Sequence, residues 1–285
     1  MRHVIKVIVF LAIGFAIFLF IESRFEVSPV GDLVYKVLEL SKKKNNCDEI
    51  IIGDSVGLQL FNVGKQGNTL SLTSNQAVSM AGQYILIANY IKANPGKLRK
   101  IWFVIHPVMF INNLDQPYTF NYFFLPFFSN EYDEYFSARV LEHMRKYKYY
   151  FIARKSWAKV FIRKHLDFFP VDYSKLIRGR VAFKDWRLSP ISIEYLVKLQ
   201  ALCREHNIRI RLISPPLKKK FAADYTFMKI QIKENGLEDM FGGYLENLIV
   251  LEDSAFKDEV HLKIPYLRRN RAGIIKKMFH SRQEE

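Results

Sequence analysis

The sequence predicts an α/β domain built on a five-stranded parallel sheet with helices packed on its faces. Short, strand-like runs recur along the chain, and those at 49–53, 100–106 and 208–213 stop at Gly53, Pro107 and Ser214-Pro215-Pro216. The stretches between them carry helical periodicity. With 285 residues, 49% hydrophobic and 25% charged, the chain has the apolar material for one large core or two modest ones, which excludes a mainly disordered protein.

The first element is an apolar run from Val7 to Ile21, extended upstream to Val4 with only Lys6 interrupting. Arg2 and Lys6 precede it. The run is slightly short for a span of about 20 residues, and snorkelling of Lys6 and Arg24 completes it. Glu22-Ser23-Arg24-Phe25-Glu26 lacks the small-x-small pattern of a cleavage site, so residues 1–24 read as an uncleaved signal anchor, with a cleaved signal peptide as the rival. The basic flank predicts a cytoplasmic N-terminus. Residues 25–285 then form a membrane-tethered, single-pass, extracytoplasmic domain.

Glu49-Ile50-Ile51-Ile52-Gly53 is the first buried strand, ending at Asp54-Ser55. A second strand is expected over Leu70–Val78, then a helix over Met80–Lys92 closed by Asn94-Pro95-Gly96. Lys100–His106 gives a third strand stopped by Pro107. A helix over Ile191–His206 feeds a fourth strand, Ile208–Ile213, which ends in Ser214-Pro215-Pro216. Leu248–Leu251 is the expected fifth. Functional groups in such a sheet belong at the strands' carboxyl ends.

Residues 108–188 break the alternation and read as one long insertion. Between Tyr118 and Phe136, ten of nineteen residues are Tyr or Phe, suited either to covering an acyl or sugar site or to plain packing. Farther on, Arg145, Lys148, Lys155, Lys159 and Arg163 recur on roughly one helical face. Such a face is either solvated or in contact with anionic lipid or polymer.

A serine at the turn from a buried strand into a helix exposes its hydroxyl above the sheet edge, where backbone N–H groups can hold a developing oxyanion. Ser55 occupies such a turn. The competing reading makes Gly-Asp-Ser a helix cap through Asp54 or Ser55. A serine hydroxyl also needs a base, and the base a group that fixes its tautomer. Asp258-Glu259-Val260-His261, just past the fifth strand, delivers both in one short turn. His106, at the end of the third strand, is a second polar residue for the same site.

These blocks resemble the SGNH/GDSL hydrolase family, over Glu49 to about Phe279. The resemblance implies a flavodoxin-like three-layer sandwich, with Ser55 as nucleophile, His261 as general base and Asp258 as its orienting acid. Ser74 to Gly82 looks similar to the family's second block, making Gly82 the match for its oxyanion glycine. The third block departs: His106-Pro107-Val108-Met109 stands where Gly-x-Asn-Asp is common, with Asn112 and Asn113 following as candidates for the missing donor. Membrane-tethered relatives that handle O-acyl groups of exported polysaccharides also alter their middle blocks. The resemblance therefore implies an esterase or O-acyltransferase acting on an acylated envelope glycan or other ester. The alternative is a non-catalytic assembly or binding protein that uses the same fold to hold an acidic polymer.

A net charge of +15 selects anionic partners, whether acidic polymer, membrane face or nucleic acid, and the expected export together with the lack of a nucleic-acid motif disfavours the last. The spacing of Asp54, His106, Asp258 and His261 matches no common zinc pattern, so neither metal nor cofactor is expected. Cys47 and Cys203 leave a single disulfide open.

Overall fold

The computed structural model describes residues 2–24, 29–114, 119–127, 130–146, 186–222 and 225–280. In chain order the elements are α1 (Arg2–Arg24), α2 (Pro29–Lys42), β1 (Glu49–Gly53), α3 (Ser55–Leu60), β2 (Gly64–Gln66), β3 (Thr69–Ser71), α4 (Ser79–Ala93), β4 (Lys100–Val104) and α5 (Pro107–Phe110). There follow α6 (Leu125–Phe127), α7 (Ala138–Lys146), α8 (Pro190–Glu205), β5 (Arg209–Ile213), β6 (Leu217–Lys218), α9 (Thr226–Glu234), α10 (Glu238–Phe241), β7 (Val250–Leu251) and α11 (Ile264–His280).

The main sheet has the order β2-β3-β1-β4-β5. Its last four strands are parallel, and β2 is an antiparallel edge folded back on β3. The strand period of two decides which helices cover which face. Ile50, Ile52, Ile101, Phe103, Ile210 and Leu212 point into a core shared with α2, α4 and α8. Ile51, Val104 and Ile213 point the other way, against Leu60 of α3 and Ile274 and Met278 of α11. Trp102 closes that second layer edge-on to Phe279, with ring centroids 4.8 Å apart. Each such buried side chain contributes about 1.5–3 kcal/mol through apolar burial.

Two strand expectations are corrected. Residues 248–251 do not join the main sheet; Val250 and Leu251 pair in parallel with Leu217 and Lys218 in a separate two-stranded sheet. Pro215 and Pro216 have no N–H, so the β5 ladder stops, and pairing resumes where Leu217 N–H donates to the Ile249 carbonyl at 2.8 Å. The fifth strand of the main sheet is instead Gly64–Gln66, turned back through Gly67 at a φ of 62° and Asn68. The second strand is also shorter than expected. Beyond Ser71 the chain bends, Ser74 N–H donates to the Gly53 carbonyl, and the Asn75 side chain accepts from Ala77 N–H before α4 begins.

Within the insertion, Tyr122, Phe123, Phe124, Phe127, Tyr132 and Phe136 are buried in the core that includes α2 and α4, which bears out packing for these rings. The basic face from Lys148 to Arg163 lies outside the described residues. Cys47 and Cys203 are both buried and free, so no disulfide links them. In α1 the apolar side chains from Val4 to Ile17 are exposed. Side chains are described for 16 residues of that helix, about 24 Å of rise. Among the described residues no helix is long and apolar enough to cross a membrane.

Candidate active site

The site forms at the carboxyl ends of β1 and β4, where the strand order reverses. Gly53, the last residue of β1, is pressed against β4, so that a Cβ there would sit 1.9 Å from the Val104 carbonyl oxygen. This approach forces the chain to turn at once. Asp54 then caps α3, its Oδ1 accepting from Val56 N–H at 2.9 Å and Gly57 N–H at 3.2 Å. Its Oδ2 accepts from the backbone N–H of His106 at 2.7 Å and so ties the end of β1 to the end of β4. Asp54 therefore takes the capping role, and the cap is what sets Ser55 at the first helical position. Burial raises the Asp54 carboxyl above the usual carboxylate range, against the opposing pull of the His106, Gly57 and Val56 N–H groups.

His261 arrives on the loop between β7 and α11. An antiparallel bridge between Phe256 and Leu262 closes this loop, helped by Lys257 N–H donating to the His261 carbonyl at 2.8 Å. Inside the bridge, Asp258 Oδ1 accepts from Val260 N–H at 3.0 Å and from His261 N–H at 2.8 Å. The turn therefore fixes the carboxylate first, and the imidazole follows. His261 Nδ1 lies 3.1 and 3.0 Å from the two Asp258 oxygens, and His261 Nε2 lies 2.9 Å from Ser55 Oγ. Partial burial pushes the Asp258 carboxyl up, but the His261 and Val260 N–H groups and the imidazole together bring it below its ordinary value. An ionised carboxylate only accepts, so the imidazole proton sits on Nδ1 and Nε2 is left to accept from the serine hydroxyl.

Gln59 stands one turn after Ser55 on the same face of α3 and fastens the two halves of the site together. Its carboxamide pairs with the backbone of Leu262, accepting from the N–H at 3.0 Å and donating to the carbonyl at 3.2 Å. Arg271 of α11 adds a bond from Nε to the Leu60 carbonyl at 2.8 Å, closing the far end of α3. Gln59→Leu removes both bonds to the residue beside His261. It is expected to lower kcat about 10- to 100-fold, with a smaller change in KM and about 1–3 kcal/mol lost in stability. Steady-state kinetics and urea titration check this; an unchanged kcat would mean that Gln59 positions nothing.

The remaining expected residues are placed differently. His106 reaches the site through its main chain. Its Nδ1 accepts from Val108 N–H at 3.2 Å and its ring is buried edge-on to Phe221, with centroids 5.0 Å apart. Burial, and then the nearby His261, push its pKa down to about 3, so the ring is neutral, with its proton on the occluded Nε2. Gly82 is the fourth residue of α4. A Cβ there would meet Val78, Phe123 and Phe127 at 2.6, 3.3 and 3.3 Å, so the missing side chain permits close packing. Asn112 and Asn113 follow α5. The Asn112 side chain accepts from Leu114 N–H at 2.9 Å, while its carbonyl accepts from Ser189 Oγ at 2.8 Å. That turn is tied to the start of α8. Gln83, which the sequence did not single out, donates to the Gly53 carbonyl at 3.1 Å and braces the strand end from α4.

Among the described residues no group of three His, Cys, Asp or Glu is clustered to hold a metal ion. No family model matches the chain, and neither a curated protein nor a solved structure does.

Proposed function

We propose that the chain is a serine-dependent acyl-ester hydrolase or O-acyltransferase of the SGNH type, acting on a cell-envelope glycan through an acyl-Ser55 intermediate. The observation that carries this reading is the continuous relay from Ser55 Oγ through His261 to Asp258, at 2.9 and 3.0 Å. In the first half-reaction His261 Nε2 takes the hydroxyl proton while Ser55 Oγ bonds to the ester carbonyl carbon. The ester C–O bond then breaks, and the imidazolium returns its proton to the leaving alcohol. Water or a sugar hydroxyl, deprotonated by the same imidazole, attacks the acyl-serine and frees Ser55. Asp258 holds the Nδ1 proton throughout and stabilises the imidazolium. Ser55 N–H is the first helical amide and is not used by the Asp54 cap, so it can serve as a backbone donor to the forming oxyanion.

The parallel strand order 2-1-3-4, read along β3-β1-β4-β5, agrees with the flavodoxin-like sandwich that the resemblance implies. The exposed apolar side chains of α1 suit a membrane anchor that tethers the domain outside the cytoplasm. Fluorophosphonate labelling of the full-length chain tests the reading. Wild type is expected to be labelled on Ser55, and both Ser55→Ala and His261→Ala to lose the label. A folded wild type that takes no label would favour a non-catalytic holder of an acidic polymer.

A further inference from the structure

The loop that carries the base is bordered by a row of lysines whose placement the relay does not explain. Lys218, Lys219 and Lys220 follow β5 and run into Phe221, the residue packed on His106. Lys218 and Lys220 both pair with Glu259, the residue next to Asp258. The Lys218 ammonium also lies 5.7 Å from the centroid of the Phe256 ring, at the base of the catalytic loop. Lys257 and Lys263 extend from the same loop on either side of the Asp258–His261 turn. The two short segments 218–220 and 257–263 thus hold five lysines against two carboxylates, of which Asp258 is committed to His261 and Glu259 is shared between two lysines. Lys219, Lys257 and Lys263 are exposed and have no carboxylate partner among the described residues. Glu252 and Asp253, at the loop's start, are the nearest other acids in sequence.

An ordinary solvated face would leave every member in water. Lys218 instead has a side chain only 12% exposed, held by Glu259 over an aromatic ring. The segment is therefore fixed against the loop that carries His261, and its unpaired neighbours present positive charge along that loop. Clustered charge of one sign at a crevice raises the local concentration of oppositely charged substrate.

We propose that Lys219, Lys257 and Lys263, arrayed around the Glu259-bound pair Lys218 and Lys220, form a subsite for an anionic substituent of the substrate. The inference rests on the serine-esterase reading and adds the substrate class: esters borne on an acidic saccharide or another anionic carrier.

The test compares two acetate esters that differ by one negative charge, 2-nitrophenyl acetate and its 4-sulfonate, each rate divided by that of hydroxide hydrolysis. Wild type is expected to favour the sulfonate at low salt by about tenfold or more in kcat/KM, and to lose that preference as salt rises. The triple variant Lys219→Glu, Lys257→Glu and Lys263→Glu should abolish or reverse the ratio. The triple variant Lys92→Glu, Lys97→Glu and Lys198→Glu makes the same change in net charge elsewhere and should keep it. Calorimetric binding of trigalacturonate provides a readout that needs no turnover, and it should weaken tenfold in the first triple variant only. Ser55-dependent cleavage without a charge preference would overturn the subsite and leave the esterase reading standing. Absence of Ser55-dependent cleavage, with trigalacturonate bound and released by the rim substitutions, would overturn the esterase reading and leave the subsite. Equal effects from both triple variants would assign the preference to overall charge and sink the proposal.

Discussion

Replacing either Ser55 or His261 by alanine is expected to remove nearly all ester turnover, about 10⁴- to 10⁶-fold in kcat, and the double variant should be scarcely slower than either. Non-additivity follows from the relay. Without the imidazole 2.9 Å away, the serine hydroxyl stays protonated at neutral pH; without the serine, the imidazole has no nucleophile to activate. Asp258→Asn should cost less, about 10²- to 10⁴-fold, because the base remains while its tautomer and the stabilisation of its charged form are disturbed. The side chain of Asp258 is 46% exposed, so water takes up part of its electrostatic work. Folding should survive in all three variants, since the cap of α3 belongs to Asp54 and not to Ser55. Rates on an aryl acetate, with circular dichroism as the folding control, check this. A well-folded Ser55→Ala chain that cleaves the ester at the wild-type rate would move the chemistry elsewhere in the molecule.

How much of this site could be read from sequence followed from how far apart its partners lie along the chain. Asp258 and His261 were legible because one turn holds both, and its geometry is local. Ser55 was legible because a buried strand stops abruptly in front of it. Gln59 was not, because its partner Leu262 is 203 residues away and nothing in the α3 sequence distinguishes a clamp from a solvated glutamine. The main-chain contact of His106 was not legible for a related reason. Its functional contact is a backbone N–H on Asp54, 52 residues away, and backbone donors leave no signature in residue type. Gly82 was chosen by likeness to a block, and the packing against it of Val78 and of two phenylalanines of the insertion was not legible. The strand error at 248–251 arose from an apolar run that pairs beyond a Pro-Pro break. The hairpin that supplies the missing strand had a signal in Gly67-Asn68, since a two-residue turn beginning with glycine is a standard route between antiparallel strands.

The other large effect is expected at a residue with no chemistry of its own. Gly53→Ala should destabilise the fold by at least about 4 kcal/mol, the upper range for a single substitution, because the new methyl would be driven into backbone rather than into a side chain able to swing aside. The obstacle is the Val104 carbonyl oxygen at 1.9 Å, and Val104 is paired in register with Gly53 in the central ladder. Relief would require β1 and β4 to separate at their carboxyl ends. Asp54 and His106 would part with them, and the bond between them, together with the position of Ser55, would be lost. Activity should therefore fall with stability, and a second-site change in Asp258 or His261 could not restore it. Gly57 supplies the contrast: a Cβ there would lie 3.1 Å from the same oxygen, and the better helix propensity of alanine offsets part of that crowding by about 1 kcal/mol. Gly57→Ala should thus remain close to wild type while Gly53→Ala loses its denaturation midpoint, a difference that urea titration of the two variants measures directly. A Gly53→Ala chain with the wild-type midpoint and wild-type turnover would show that the strands do not need to lie this close for Ser55 to be held.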